Sequence, residues 1–340
     1  MKRVLVNSII LLVLLSLPLT VVAQDSDKRA DARAALFNAI QAGDPQAVLT
    51  ILRNPRHVNL NYRELWDGET FLIAAIRAEQ PEIVRILLRY GADPNLREIT
   101  GVNDRDQKLP GDTPLAAALE VDSIEIVRSL IQHGVSLRKH PSALHSSTSH
   151  RMTRFLLSAG ALVDGRDEDG ETSLQTAVTE DDPELVKLLI EHGANVNISD
   201  EEGATPLHRC GSVEVARLLI ARGARVNAAD KYGLTPLHLA AFEASQIDLA
   251  KLLIAHGANV NARDEDGNTP LDFIVADSFD YAFALLLVSR GARINEALVK
   301  EHGLEKEFEM IKKGLPSGNK RRNALSDPVA TLAGTDLVTM

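Results

Sequence analysis

Residues 200–208 read Asp200-Glu201-Glu202-Gly203-Ala204-Thr205-Pro206-Leu207-His208. The same frame returns as Asp230-Lys231-Tyr232-Gly233-Leu234-Thr235-Pro236-Leu237-His238 and as Asp264-Glu265-Asp266-Gly267-Asn268-Thr269-Pro270-Leu271. Each copy leads into an apolar run that closes on L-L-x-x-G-A-x-x-N, and the frame recurs seven or eight times at a spacing of about 33 residues. A period of this size defines a stack in which every unit buries its apolar face only against its neighbours. The expected fold is an all-α solenoid of helix-turn-helix units with short β-turn fingers. Length alone, 340 residues, suggests two domains, but a repeat array grows without a second core.

The chemistry of one unit follows from its residues. The threonine N-caps a helix, its hydroxyl oxygen accepting from a free N–H of the first turn. The proline sits at N1, where no N–H is needed and φ is already helical. Thr113-Pro114, Thr205-Pro206, Thr235-Pro236 and Thr269-Pro270 obey this pattern. A second helix carries apolar residues at helical spacing, as in Ile83, Val84, Leu87 and Leu88 or Leu185, Val186, Leu188 and Leu189. It stops at Gly91, Gly134, Gly160, Gly193, Gly223, Gly257 or Gly291, where a left-handed conformation makes any other residue cost about 1 kcal/mol.

The T-P-L-H and G-A-x-V-N signatures resemble the ankyrin repeat, and the resemblance runs from about Ala30 to Asn295. It implies a β-turn finger plus two antiparallel helices per unit and a role in protein binding. It also implies that the T-P-L-H histidines, His208 and His238, are structural groups bonded to neighbouring backbone.

The stop glycines lie 43, 26, 33, 30, 34 and 34 residues apart, and these intervals locate the irregular units. The longest contains an insertion near 97–110, R-E-I-T-G-V-N-D-R-D-Q-K-L-P, expected to lengthen one finger loop. The shortest marks a degenerate repeat near 140–160 with a short first helix, and the 30-residue interval a loss near Gly211-Ser212. A divergent first unit, about 31–63, keeps Leu36, Ala39, Ile40, Val48, Ile51 and Leu52 but lacks the T-P-L turn. The solenoid is assigned to 24–295 and capping helices to 296–314, with Leu304, Phe308 and Ile311 as their apolar stripe. A disordered tail is expected over 315–340.

Lys2 and Arg3 precede an apolar run from Ile9 to Leu19, and Val21-Val22-Ala23-Gln24 resembles a peptidase site. Residues 1–23 are therefore expected to be a signal peptide cleaved after Ala23, placing the protein in the periplasm or outside the cell. The alternative is an uncleaved helix tethering a structural envelope protein; contact with a membrane follows only in that case. Removing Lys2 and Arg3 from the 37 basic residues leaves 35 against 47 acidic ones, a net charge of −12. That balance argues against nucleic acid or an anionic membrane surface as partner. One cysteine, Cys210, allows no intramolecular disulfide, which favours a bacterial periplasm over a disulfide-rich secretory origin.

Chemistry-bearing groups point away from catalysis. Cys210 stands where other copies have Ala75 or Ala240, so a buried, inert thiol is expected. His140, His145 and His150 are spaced by five, about 140° apart on a helix, and so share no face for a metal. Ser146, Ser147 and Ser149 lack a nucleophile elbow, and no phosphate loop, dinucleotide turn or H-E-x-x-H occurs. No cofactor and no metal are expected, and the protein is read as a non-enzyme and a monomer.

The gripping surface remains. The resemblance implies that finger tips and the inner faces of first helices line a concave groove. The variable finger positions are Trp66, Asp67 and Glu69; Glu168, Asp169 and Glu171; Glu201, Glu202 and Ala204; Lys231, Tyr232 and Leu234; and Glu265, Asp266 and Asn268. Carboxylates dominate, interrupted by Tyr232 and Leu234. The expected partner is a protein with a basic, partly apolar patch, since aromatic residues anchor while rim charges steer.

Overall fold

The computed structural model describes residues 19–53, 58–62, 68–102, 108–147, 149–242, 246–276 and 279–314, with side chains from residue 29 onward except 100–110. Two compact units result, one ending at Ser173 and one beginning at Leu174. Sixteen α-helices and three 3-10 turns make up the described regular structure besides one short hairpin. The expected tail, 315–340, and most of the expected leader lie outside the described residues. No described helix is long and apolar enough to cross a membrane.

In the first unit, α1 (Leu19–Gln41) pairs with α2 (Pro45–Leu52), α3 (Phe71–Arg77) with α4 (Pro81–Arg89), and α5 (Pro114–Glu120) with α6 (Ile124–Gln132). The fourth pair is a single 3-10 turn, Pro141–Leu144, against α7 (His150–Ser158). First helices stack on first helices (α1, α3, α5) and second on second (α2, α4, α6), as a repeat array requires. The core between the layers is aliphatic: Leu36, Ile40, Ile73, Ile83, Leu87, Leu115, Ile126 and Leu130 are almost wholly buried. Each such side chain stabilises the stack by about 1.5–3 kcal/mol relative to exposure.

The second unit follows the same plan. Its second helices are α9 (Pro183–Glu191), α10 (Val213–Ala221), α12 (Ile247–Ala255), α14 (Tyr281–Ser289) and α16 (Glu305–Gly314). Before α9 comes α8 (Ser173–Thr179), which begins at the unit boundary. The other first helices are the 3-10 turn Pro206–Arg209, α11 (Pro236–Phe242), α13 (Pro270–Ala276) and α15 (Glu296–Glu301). Thus the three-residue loss near Gly211-Ser212 has the same consequence as the degenerate repeat: both first helices shrink to one 3-10 turn. In α16, Phe308 and Ile311 are buried while Lys312 and Lys313 are exposed, so this helix closes the apolar face of α14.

The lengthened finger carries a strand pairing. Ile99–Val102 (β1) and Lys108–Pro110 (β2) pair antiparallel, with Ile99 opposite Pro110, Gly101 opposite Leu109 and Val102 opposite Lys108. Its base is fastened to the preceding finger, because Ile99 N–H donates to Gly68 O at 3.1 Å. Gly68 has φ +77, and a Cβ there would lie 2.0 Å from Ile99 O, so this finger admits only glycine.

Candidate partner-binding face

The fingers from Asp167 onward are each built on an aspartate. Asp230 Oδ1 accepts from the N–H groups of Tyr232 and Leu234 at 2.9 Å each. Asp167 and Asp200 do the same for Asp169 and Glu171, and for Glu202 and Ala204. Such Asx turns satisfy the tight backbone locally and leave the two tip side chains pointing outward. Burial works against the Asp200 carboxylate, yet hydrogen bonds from Arg209 and from the Ala204 and Glu202 N–H groups hold it below the ordinary carboxylate range. Successive tips are also joined: Lys231 N–H donates to Glu202 O and Glu265 N–H to Tyr232 O, both at 2.9 Å.

The threonine–histidine pairs fix finger to helix. Thr205 N–H donates to His208 Nδ1 at 3.0 Å, and its hydroxyl meets the same nitrogen at 2.9 Å, within a capping box. A backbone donor requires Nδ1 to be the acceptor, so the proton resides on Nε2. That Nε2–H reaches the next finger, at Leu234 O, 3.1 Å away. His238 repeats the arrangement with Thr235 and, at 3.3 Å, with Asn268 O. Burial holds both imidazoles below their ordinary pKa. In the next copy Asp272 Oδ2 accepts from the Thr269 N–H and hydroxyl at 2.8 and 2.7 Å. These are structural groups, as the resemblance implied.

A second tie was not read from the sequence. The asparagine of G-A-x-x-N bonds the following repeat twice: Asn227 Nδ2 donates to Gly257 O at 2.8 Å and its Oδ1 accepts from Asn259 N–H at 2.8 Å. Asn197 and Asn261 make the same bridges to Gly223 and Arg225 and to Gly291 and Arg293. The motif itself was visible in the sequence; its role needed the three-dimensional neighbour.

Among the expected contact residues, Trp66 and Asp67 lie outside the described residues. Glu69 is half-buried and turned inward, paired with Arg77 at 3.0 Å. It therefore serves the hairpin clamp rather than an open rim. Arg77 also holds Glu98, 2.8 Å away and 5% exposed, and Asp112 at 3.0 Å. Glu168 and Asp169 are exposed and Glu171 half-buried, all in the first unit. In the second unit Glu201, Glu202, Lys231, Tyr232, Glu265 and Asp266 are exposed and Leu234 is half-buried. Lys231 neutralises Glu202 and lies 5.0 Å from the Tyr232 ring centre. Among the described residues Glu201, Glu265 and Asp266 make no ion pair, so they give the tips a net negative charge.

Phe242 escaped the sequence reading. It ends α11, seven residues after its capping threonine, where other copies place Arg77, Glu120 and Ala276. At 56% exposure it is the most exposed large apolar side chain described, with Tyr232 at 47%. Its ring meets the edge of Phe273 on α13, centroids 6.3 Å apart, and Phe273 in turn packs against His238 at 5.7 Å. Leu239, three residues before Phe242 and half-buried, shares its helix face. The signal was an aromatic residue directly after the buried Ala240-Ala241 pair.

Two other places hold groups of catalytic type. Cys210 is buried, its Sγ–H donating to Ser212 O at 3.2 Å, and burial pushes the thiol up to about 11. A thiol so placed is not a nucleophile at neutral pH. His145 lies between Ser173 Oγ at 3.3 Å and Asp167 Oδ2 at 3.7 Å. The residue types are those of a hydrolytic triad, but Ser173 is 5% exposed and 3.7 Å exceeds a hydrogen bond. No group of histidine, cysteine and carboxylate residues able to hold a metal occurs among the described residues.

The family model described as ankyrin repeats matches this chain in three copies, at residues 8–98, 149–230 and 211–297, together more than half of its length. The chain is 31% identical over 163 residues to the ankyrin repeat protein FPV031 of fowlpox virus, covering 48% of this chain and 38% of that one. It is 44% identical over 61 residues to the mouse ankyrin repeat and SOCS box protein 16, 18% of this chain and 13% of that protein. It is also 29% identical over 193 residues to the human mitochondrial disaggregase, 54% of this chain and 25% of that one. The chain thus spans less than half the length of each of these relatives.

Proposed function

The chain belongs to the ankyrin-repeat family, whose repeats are generally protein–protein interaction modules on a typically non-catalytic fold, and on that footing we propose that it is an exported binding protein whose second unit grips a protein partner. The observation that supports this reading is the exposure of two aromatic side chains, Tyr232 at a finger tip and Phe242 at a helix end, the latter packed on the half-buried Phe273, together with tip carboxylates that make no ion pair among the described residues. The local backbone does not need Tyr232 or Phe242: the finger and the helix start are satisfied by Asp230, Thr235 and His238. Exposed aromatic anchors and acidic tips divide the work of an interface, the anchors resisting dissociation and the charges speeding encounter. The partner it suits is a protein segment with an aliphatic or aromatic residue flanked by lysine or arginine.

The proposed setting is the bacterial periplasm or cell exterior, reached through the leader 1–23, and the proposed role is that of a monomeric chaperone, scaffold or inhibitor. Cell fractionation with N-terminal sequencing tests export: Gln24 as first residue supports it, and retained Met1 supports the tethered alternative. For the binding face, Phe242→benzoylphenylalanine photo-cross-linking in the native compartment is compared with Met310→benzoylphenylalanine on the capping helix. One protein captured at 242 and not at 310 supports the reading. Equal capture at both positions overturns it.

A further inference from the structure

We propose that the aromatic face of the second unit is occupied in the free protein by the chain's own C-terminal segment around Lys320-Arg321-Arg322-Asn323-Ala324-Leu325. The inference rests on the partner-binding reading of that face and adds its regulation: an external partner must displace a segment of the same chemistry. Lys320, Arg321 and Arg322 form the only run of three consecutive lysine or arginine residues in the chain, and Leu325 follows three residues later. Glu201, Glu265 and Asp266 are exposed and make no ion pair among the described residues, while Leu239, Phe242 and Phe273 offer the apolar seat. Basic run and aliphatic residue therefore match acidic tips and aromatic seat in sign and in kind.

The reach is sufficient. Helix α16 ends at Gly314 and belongs to the pair stacked on α13 and α14. Packed helices lie about 8–10 Å apart, so α13 is one step and α11 two steps away, about 20 Å. The eleven links from Gly314 to Leu325 span up to about 36–40 Å when extended. Lys320 follows Gly314 by six links, a span of up to about 20 Å. Because the connection is intramolecular, the effective concentration of the segment is set by the length of chain that joins it to α16.

Full-length protein carrying Leu325→benzoylphenylalanine is illuminated at several protein concentrations, and the cross-linked peptides are mapped. The expected product is an intramolecular link to the peptides holding Leu239-Phe242 or Phe273, with a yield independent of concentration. Both 1 M NaCl and the variant Lys320→Glu/Arg321→Glu/Arg322→Glu should reduce that yield at least fivefold, since screening and charge reversal remove the steering term. The substituted residues follow the last packed helix, so the stack stays folded. Absence of a cross-link, linkage to other peptides, linkage between two molecules, or a yield indifferent to salt and charge reversal would each overturn the proposal. The partner reading fails separately: it stands if Phe242→benzoylphenylalanine still captures an external protein when the Leu325 probe finds no seat.

Discussion

In the unit ending at Ser173 the finger at Gly68-Glu69 is held by a guanidinium: Arg77 grips Glu69, Glu98 and Asp112 at once and fastens an inserted hairpin. In the unit beginning at Leu174 the fingers are held by neutral imidazoles, His208 and His238, each tying a threonine behind it to a carbonyl ahead. Both devices do the same mechanical work, but they differ in cost and in what they leave free. The ionic clamp engages its finger carboxylate, so Glu69 Oε1 is already paired with Arg77. The histidine works from inside, so Glu201, Tyr232 and Glu265 remain available at the tips.

The largest expected effect breaks the ionic device. Arg77→Ala leaves Glu98 buried without its cation and should destabilise the first unit by about 2–3 kcal/mol. That lies below the 3–5 kcal/mol of a fully buried pair because Arg77 itself is 39% exposed. Denaturant unfolding measures the loss, and Glu98→Gln in the same chain should restore part of it. A loss confined to a few tenths would show that the hairpin is held by its backbone pairing alone.

Acid should separate the two devices. Burial keeps His208 and His238 below their ordinary value of 6.5 in the folded chain. As pH falls, the unfolded chain therefore takes up protons first. The stability these caps give is intact above pH about 6.5 and is lost as pH drops from there toward the lower folded-state values. Protonation also puts a hydrogen on Nδ1, which faces the Thr205 N–H. Hydrogen exchange at pH 7.5 and pH 5 should show protection falling more in 205–241 than in 71–89, where no such histidine stands. Equal losses in the two segments would contradict the assignment.

How far the sequence revealed this is clearest from these same residues. Thr205-Pro206-Leu207-His208 acts within four residues, so its capping chemistry is written locally and was legible. The Arg77 clamp joins residues 21 and 35 positions apart across an insertion unique to one repeat, and no periodicity encodes it. The strand pairing inside the 97–110 insertion is illegible for the same reason: its polar composition hides a backbone pairing anchored on Gly68. At the candidate face, Tyr232 and the tip carboxylates were legible from the finger frame. Phe242 was not, because a phenylalanine ending an apolar helix is ordinarily core, and only its exposure distinguishes it.

Smaller effects sharpen the comparison. Asn227→Ala removes two exposed inter-repeat hydrogen bonds and should cost the second unit about 1–2 kcal/mol in denaturant unfolding. A cost under 0.3 kcal/mol would mean that water replaces the bridge. Cys210→Ala should change stability by about 1 kcal/mol or less, and native Cys210 should resist thiol reagents until the chain unfolds. Rapid native labelling would place the thiol at the surface. Smallest of all, Glu79 holds a left-handed φ of 53 at a turn where the first repeat has Gly43 at 63. Glu79→Gly should stabilise the first unit by about 0.5 kcal/mol, the strain relieved exceeding the added freedom of the unfolded chain. A measured destabilisation would show that the Glu79 side chain contributes a contact of its own.

The central claim is that the second unit's aromatic face binds the partner while the clamped first finger does not. Its most direct test is the dissociation constant of the captured partner for Phe242→Ala and Tyr232→Ala, measured beside Glu69→Ala by calorimetry in the same buffer. Each aromatic truncation should weaken binding by about 5- to 150-fold, corresponding to about 1–3 kcal/mol, while Glu69→Ala stays within twofold of the parent. Parental affinity in both aromatic variants, together with a loss at Glu69→Ala, would contradict the account and move the interface to the first unit.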